Sequence, residues 1–309
     1  MIVPVLLVAG YLGAGKTTLL NHLLANPGGR RIAAVVNDFG AIDIDAGLLG
    51  TVSDGVVSLK NGCICCSLQG DLLRTLASVI KRPLPPDAIA IETSGVSDPA
   101  EIIRNLMDPV VFKVAPLETV VTLVDARRVL DEPEQAEDVL WRSQLRTADF
   151  VLLTKTDLLD GGERERITEI IGRHKPASVV FDIVQGAVPP DLLFSRSATV
   201  VRPVPKLTLA ASEPFASVSW RSQAPLSLAR FQQIVGPLAA QTLRMKGVFV
   251  FTEHPGQPML FQCVGTRATM SASQLTPPAG LTAQLVLIGR EGQIDAGEIE
   301  RVLQGIAVS

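Results

Sequence analysis

The chain has 309 residues, of which 47% are hydrophobic and 19% charged, so it is long enough for one large globular domain or two smaller ones. Its net charge of −3, without a dense Lys/Arg run, excludes the electrostatic surface of a nucleic-acid-binding protein. No apolar run approaches the roughly 20 residues of a membrane-spanning helix, and the first residues do not read as a secretory signal. We therefore expect a cytoplasmic protein that binds neither membranes nor nucleic acid and keeps its thiols reduced.

Strand and helix patterns alternate through residues 1–186. Apolar runs of strand length occur at "IVPVLLVAG", "RIAAVVNDFG", "DAIAIETSG", "ETVVTLVDA" and "DFVLLTKTD". Helical spacing of apolar residues follows in "GYLGAGKTTLLNHLLA", "DLLRTLASVIK", "EDVLWRSQLRTA" and "ERERITEIIGRH". This alternation predicts an α/β domain with a mostly parallel sheet.

The composition changes after about residue 185. The stretch "GAVPPDLLFSRSATVVRPVPKL" contains four prolines and predicts a linker over residues 187–211. Beyond it, "FASVSW", "GVFVFTE", "PMLFQCVG" and "AQLVLIGR" predict strands, and "SLARFQQIVGPLAAQTL" and "AGEIERVLQGI" predict helices. Residues 212–309 should therefore form a smaller α+β domain, with an antiparallel sheet and helices on one face.

The turn between the first strand and the first helix matches G-x-x-x-x-G-K-[ST]. Glycines allow the backbone to wrap closely around phosphate oxygens, and the N-terminus of the helix attracts the anion. The lysine would reach the β- and γ-phosphates, and the threonine hydroxyl would bind Mg²⁺. The motif predicts a nucleotide site made of Gly10, Gly13, Ala14, Gly15, Lys16, Thr17 and Thr18.

Two strand ends add candidate residues. Glu92 ends "AIAIE", where a carboxylate would bind magnesium or orient the attacking water; a plain surface acid is the alternative. The candidate strand "DFVLLTKTD" ends in Thr154, Lys155, Thr156 and Asp157, which resembles the [NT]-K-x-D base-reading motif of GTPases. An Asp carboxylate accepts hydrogen bonds from the guanine N1–H and 2-amino groups and disfavours adenine, so this segment favours GTP over ATP.

Three of the four cysteines, Cys63, Cys65 and Cys66, lie within four positions in "NGCICCSL". This spacing suits a disulfide poorly, whereas thiolates are soft ligands for Zn²⁺, Co²⁺ or Cu(I). In an extended segment Cys63 and Cys65 point to the same side, so two thiolates can share an ion, but the stretch cannot complete a four-coordinate site. Water, a second copy of the chain in a homodimer, or a client protein would supply the missing ligands. A buried structural cluster remains the alternative.

Together, "GYLGAGKTTLLNHLL", "VVNDFGAIDID", "NGCICCSL", "ETSGVSDPAEI" and "TKTD" resemble the CobW-like branch of the CobW/HypB/UreG family of GTPases. The segments "RMKGVFVF", "FQCVG" and "LVLIGR" resemble the C-terminal domain of that branch. Known members are metallochaperones or metal-insertion GTPases for zinc, cobalt, nickel or iron enzymes. The resemblance implies that Mg²⁺ and GTP organise a site for zinc or cobalt at Cys63, Cys65 and Cys66. It also implies a client metalloprotein or metal-insertion complex as partner.

The chain departs from the family pattern N-E-F-G-E, because residues 37–41 read N-D-F-G-A. The first acid survives as Asp38, which we group with Lys16 and Glu92 as a catalytic candidate, whereas Ala41 replaces the second. The three histidines are scattered, so we expect no His-rich metal store. The sequence offers no obvious arginine finger, which predicts slow intrinsic turnover.

The predicted function is therefore slow GTP hydrolysis coupled to delivery of a transition metal. One alternative is a GTP-dependent protein-interaction switch whose cysteines are structural or redox-sensing. Another is an ATP-dependent kinase of the same superfamily, which Lys155 and Asp157 disfavour.

Overall fold

The computed structural model describes residues 2–36, 56–58, 68–176, 178–194, 207–208, 214–265, 267–273 and 276–308. The chain divides into two compact units, residues 1–194 and 195–309. The proposed domain limits at residues 186 and 212 remain predictions. Within the proposed linker, however, Pro190–Leu193 forms a helix of the first unit, because Leu192 and Leu193 are fully buried there.

The first unit is built on a seven-stranded sheet in which every pairing is parallel, in the order β3-β2-β4-β1-β5-β6-β7. The expected parallel α/β fold is therefore confirmed. The two outermost strands, β3 and β7, were not predicted, because they are only three and four residues long. The strands are β1 (Val5–Gly10), β2 (Ile32–Val36), β3 (Val56–Ser58), β4 (Ala88–Glu92), β5 (Leu117–Asp125), β6 (Phe150–Thr154) and β7 (Val179–Asp182).

Helices cover this sheet. They are α1 (Lys16–Ala25), α2 (Leu68–Ile80), α3 (Pro99–Leu106), α4 (Pro109–Phe112), α5 (Ala126–Asp131), α6 (Val139–Thr147), α7 (Glu163–His174) and α8 (Pro190–Leu193). Short 3-10 turns span Pro133–Glu137 and Thr156–Leu158. The helices α2 and α3 share one apolar cluster with β1, β2 and β4, and α6 and α7 share another with β5 and β6. The alternate strand residues Leu6 and Val8 are also fully buried, so the sheet is covered on both faces.

The second unit contains a six-stranded antiparallel sheet in the order β12-β11-β10-β13-β9-β8. Its strands are β8 (Leu207–Thr208), β9 (Pro214–Ser222), β10 (Arg244–Phe249), β11 (Met259–Val264), β12 (Arg267–Ala272) and β13 (Ala283–Arg290). Its helices are α9 (Leu228–Gln241) and α10 (Ala296–Gln304). The expected antiparallel α+β arrangement is confirmed.

One core holds the second unit together. Phe231 of α9 contacts the rings of Phe249, Phe251 and Phe261, with centroids 4.7–5.5 Å apart. Ile299 of α10 belongs to the same cluster, so both helices pack on one face of the sheet. None of the helices within the described ranges is both long and apolar enough to cross a bilayer.

Candidate active site

The phosphate loop joins the central strand β1 to α1 through a turn that only glycine adopts without strain. Gly10, Gly13 and Gly15 have φ of 144°, 76° and 96°. A Cβ on Gly10 would lie 2.6 Å from the Leu123 carbonyl oxygen, so this loop packs directly on β5. A Cβ on Gly13 would meet no atom within 4 Å. The loop therefore presents backbone to open space at the N-terminus of a helix, which fits a phosphate group.

The Lys16 ammonium folds over this loop. It is 6% exposed and donates hydrogen bonds to the Gly10 oxygen at 2.9 Å and the Tyr11 oxygen at 3.1 Å. These contacts hold a positive charge beside the turn, where the predicted β- and γ-phosphates would bind.

Thr17 and Glu92 come together although 75 positions separate them. Val8 of β1 is aligned with Glu92 of β4, so the strand end carries the carboxylate to the start of α1. The Thr17 hydroxyl donates to Glu92 Oε1 at 3.3 Å, and Glu92 is 5% exposed. A hydroxyl and a carboxylate are hard oxygen ligands, so the pair fits Mg²⁺.

Thr154 contacts the phosphate loop. Its hydroxyl donates to the Ala14 oxygen at 3.0 Å and to the Val124 oxygen at 3.3 Å. A Cβ on Gly15 would lie 3.5 Å from Thr154 Cγ2. The end of β6 thus supports the loop through Thr154, and the following residues form a separate turn.

Lys155 and Asp157 occupy that following turn. Lys155 has a left-handed φ of 57°, and its ammonium pairs with the buried carboxylate of Asp125. Asp157 lies in the exposed 3-10 turn Thr156–Leu158. The Lys155–Asp125 pair fixes the direction of the turn relative to β5.

Several residues near the site were not among the predicted site residues. Asp125 ends β5 and also accepts from the Arg128 N–H, so an acid at a strand end was the available signal. Arg128 donates from its guanidinium to the Leu12 oxygen at 3.2 Å and lies 5.5 Å from the centre of the Tyr11 ring. Arg128 could not be predicted at the phosphate loop, because no pattern in the sequence indicates that α5 begins beside that loop.

Two glycines also approach the site closely. A Cβ on Gly95 would lie 2.7 Å from the Leu12 nitrogen, and one on Gly186 would lie 2.7 Å from the Thr18 oxygen. The segments after β4 and β7 therefore pack on the phosphate loop and on α1 through positions that have no side chain.

The cysteine candidates Cys63, Cys65 and Cys66 lie outside the described residues, as do Asp38 and Ala41. Among the described residues, no three His, Cys, Asp or Glu side chains are grouped so that they could hold a metal ion.

The chain is similar to known proteins along most of its length. The profile of the CobW/HypB/UreG nucleotide-binding domain matches residues 4–182, and that of the cobalamin synthesis protein CobW C-terminal domain matches residues 215–307. The protein named zinc chaperone YjiA from Escherichia coli (strain K12) is 32% identical over 278 residues, covering 85% of this chain and 86% of that protein.

Two further relatives have related names. The zinc chaperone CobW of Pseudomonas aeruginosa is 34% identical and covers 63% of this chain and 60% of its own length. The zinc-regulated GTPase metalloprotein activator 1 of Schizosaccharomyces pombe is 32% identical, with 51% and 40% covered. The crystal structure of Zn(II)-bound YjiA GTPase from E. coli is 25% identical, covers 100% of both chains and has a TM-score of 0.48.

The nucleotide-binding profile alone spans more than half of the chain, and it includes the phosphate loop, Glu92 and the Thr154–Asp157 turn. This chain therefore belongs to the CobW/HypB/UreG family and is a P-loop GTPase that carries a CobW C-terminal domain.

Proposed function

We propose that this GTPase is a metallochaperone, in which the nucleotide state controls binding and delivery of a transition metal through Cys63, Cys65 and Cys66. The observation that carries the nucleotide half of the proposal is the cluster of Lys16, Thr17 and Glu92 at the phosphate loop. The names of the relatives, which include zinc chaperones and a GTPase metalloprotein activator, support a metal as the cargo. Zinc is accordingly the first candidate, and cobalt the second.

The nucleotide half of the function would use residues that already lie together. Lys16 would neutralise the β- and γ-phosphates, and Thr17 with Glu92 would hold Mg²⁺, which supplies charge stabilisation when bound. Glu92 would also orient the attacking water, and Asp38 would add a second acid. No arginine finger is evident in the sequence, and the Arg128 guanidinium at the loop is already engaged with the Leu12 oxygen and Glu132, so intrinsic hydrolysis should be slow.

Base selection is assigned to Asp157, with Lys155 beside it. The carboxylate accepts from the guanine N1–H and 2-amino groups, whereas an amide would donate to the 2-oxo group of xanthine. We expect Asp157→Asn to weaken GTP binding at least about 100-fold and to favour XTP. Competition between GTP, XTP and ATP for a fluorescent nucleotide measures this exchange. Unchanged GTP preference would remove Asp157 from the base site.

Control of metal binding by GTP would rest on thermodynamic linkage between the two binding equilibria. If GTP tightens metal binding by the three thiolates, metal must tighten GTP binding by the same factor. Hydrolysis would then weaken the site and release the ion to a client metalloprotein. A reducing compartment such as the cytoplasm suits this proposal, because the thiolates must remain reduced.

The deciding experiment is a titration of Co²⁺ into the reduced full chain, with and without Mg²⁺–GTP. Thiolate-to-cobalt charge transfer and tetrahedral d–d bands report ligation by cysteine. We expect these bands to need GTP and to vanish in Cys65→Ala. The matched control is Cys263→Ala, since Cys263 is buried in β11 and its thiol contacts the Gly265 oxygen at 3.7 Å.

Other outcomes have distinct meanings. Absent thiolate bands in both nucleotide states would overturn metal delivery by these cysteines and leave a GTP-dependent protein-interaction switch. Bands that are independent of GTP would retain the metal site but overturn its coupling to the nucleotide. Competition by Zn²⁺ against Co²⁺ would then identify the preferred cargo.

A further inference from the structure

Among the residues that the structure describes, one long edge of β9 has no strand beside it for most of its length. The strand β13 pairs with β9 from Phe215 to Ser222. On the other side, β8 pairs only with Phe215 and Pro214. Within the part of the chain that the structure describes, no strand pairs with that outer edge from Ala216 onward. Such edges expose backbone donors and acceptors that another extended segment can use.

The hydrogen-bond phase of the sheet identifies which backbone groups face outward. The Val250 N–H donates to the Thr282 oxygen and the Leu243 N–H donates to the Ile288 oxygen of β13, both at 2.8 Å, and hydrogen-bonded pairs recur at every second residue of an antiparallel ladder. The backbone N–H and C=O groups of even-numbered residues of β13 therefore point towards β10, and those of odd-numbered residues point towards β9. The odd-numbered residues of β13 are aligned with the even-numbered residues of β9. It follows that the N–H and C=O groups of Ser217, Ser219 and Arg221 point away from the sheet.

A groove of about 400 Å³ runs beside this edge. Val218 and Trp220 line it from β9, and Ala296 and Glu300 line it from α10. An edge strand next to a helix, with a groove between them, is a geometry in which an added strand places alternate side chains in the groove. The main chain supplies affinity in this mode, and the groove supplies selectivity.

We propose that the β9 edge and this groove bind an extended peptide segment of a partner protein, which adds to the sheet as a further strand. Side chains on one face of the peptide would enter the groove at Val218, where a basic or polar residue would meet Glu300. Side chains on its other face would include an acid opposite Arg221. Arg221 and Glu300 are both exposed, so their charges are available to a partner. This peptide binding would involve the second unit and would not depend on whether the chain delivers a metal.

The chain's own sequence suits this edge poorly. Leu207 is aligned with Phe215, so a continued antiparallel ladder would set residue 205 against Ser217 and residue 203 against Ser219. Both are prolines in the sequence. A proline has no N–H to donate, so such a ladder would lack donors at both hydrogen-bonding positions. An external segment with free amides satisfies the edge better.

The test begins with selection of random linear peptides against the full chain, followed by binding of one synthetic peptide. In an added strand, every second residue of the peptide would hydrogen-bond to the β9 edge. N-methylation of these amides should lower the affinity of the peptide for the chain, whereas N-methylation of the intervening amides should not. Amide hydrogen exchange at Ser219 and Arg221 should slow when the peptide binds. Equal loss in both phases, or selection that yields no peptide protecting these amides, would overturn the proposal.

Substitutions in β9 test the same proposal from the protein. Ser219→Pro removes one outward N–H but no bond to β13, and proline is tolerated at such edge positions. We expect it to weaken peptide binding at least about tenfold, whereas Ser219→Ala should change binding less than about threefold. The thermal unfolding transition of the second unit confirms that both variants are folded.

Two other occupants would be recognised by the same measurements. Self-association that Ser219→Pro abolishes would assign the edge to a second copy of the chain and overturn the peptide. Slow exchange at Ser219 and Arg221 before any peptide is added would assign the edge to the chain itself.

Discussion

The first unit gathers its polar side chains at one end of a parallel sheet, whereas the described part of the second unit leaves the outer edge of β9 unpaired beyond Phe215. All strands of the first sheet run in one direction, so the segments after β1, β4, β5 and β6 meet at one end. Lys16, Glu92, Asp125 and Lys155 therefore lie close together although they are distant in sequence.

Neighbouring strands of the second sheet run in opposite directions, so its connections are divided between the two ends of the sheet. Its usable surface is the lateral edge of β9, where no side-chain motif is required. Sequence motifs therefore indicate function where the topology brings side chains together. A surface made of backbone groups has no comparable sequence motif.

The largest expected effect is confined to the first unit. Lys16→Ala should lower the rate of GTP hydrolysis by about 10²–10³-fold, because it removes the buried charge beside the phosphate loop. Single-turnover hydrolysis measures the loss. Lys175→Ala is the matched control, since that ammonium bonds to the Arg146 oxygen instead of the loop. Hydrolysis that stays unchanged in Lys16→Ala would break the assignment of this end of the sheet to catalysis.

A backbone substitution should destabilise the same unit. Gly10→Ala would place a Cβ 2.6 Å from the Leu123 oxygen at a φ of 144°. We expect the free energy of unfolding of the first unit to fall by roughly 2–4 kcal/mol. Denaturant unfolding followed by bound nucleotide and by circular dichroism measures it. Gly161→Ala, where a Cβ meets nothing within 4 Å, should leave stability nearly unchanged. Equal effects at both positions would contradict the strain at Gly10.

A pH-dependent effect should be confined to the second unit. Hydrogen bonds from the Leu228 N–H and, more weakly, from the Ser227 and Thr252 hydroxyls lower the pKa of Glu253 from 4.5 to about 2. A lowered carboxyl pKa stabilises the folded state above the unfolded value, and this contribution is lost as the pH falls from about 4.5 towards 2. Glu253→Gln should flatten that part of the stability profile of the second unit. A profile that keeps its slope in Glu253→Gln would assign the acid sensitivity to other carboxylates.

The smallest expected effect compares the two units directly. Gly172 in α7 lies inside a helix, and a Cβ there meets nothing within 4 Å, whereas Gly236 in α9 directly precedes Pro237. Gly172→Ala should stabilise the first unit by about 0.5–1 kcal/mol. Gly236→Ala should not stabilise the second unit, because the proline ring disfavours a helical conformation for a preceding residue that has a Cβ. Because each unit has its own core, calorimetry should show Gly172→Ala raising one transition and leaving the other unchanged. Both transitions raised by Gly172→Ala would contradict separate unfolding.

The sequence predicted the phosphate loop and its neighbours well, because their chemistry is written into short segments. Glycines at fixed spacing, an apolar strand and a helical period identify residues 10–18 without knowledge of the fold. Glu92 could be predicted too, since an acid at a strand end is a local signal.

The contacts that depend on strand order could not be predicted. Asp125 and Arg128 lie at the loop only because β5 is next to β1, an arrangement that no local pattern specifies. Gly186 could not be predicted either, because it matters only by lacking a side chain where the backbone packs closely on α1. In the second unit, β12 was missed because its residues are small, polar and largely exposed, and β10 begins three residues before the predicted run.

The end of the first unit has a consequence for how the protein is made. Arg30, after α1, forms a largely buried ion pair with Asp191 of α8, and the Thr119 hydroxyl donates to the Leu193 oxygen at 2.7 Å. Phe194 is fully buried. On the ribosome, the GTPase unit can close only once Phe194 has emerged, well after its last strand. A fragment cut after Asp182 would leave the Arg30 charge buried without this carboxylate, so a nucleotide-binding fragment should extend through Phe194.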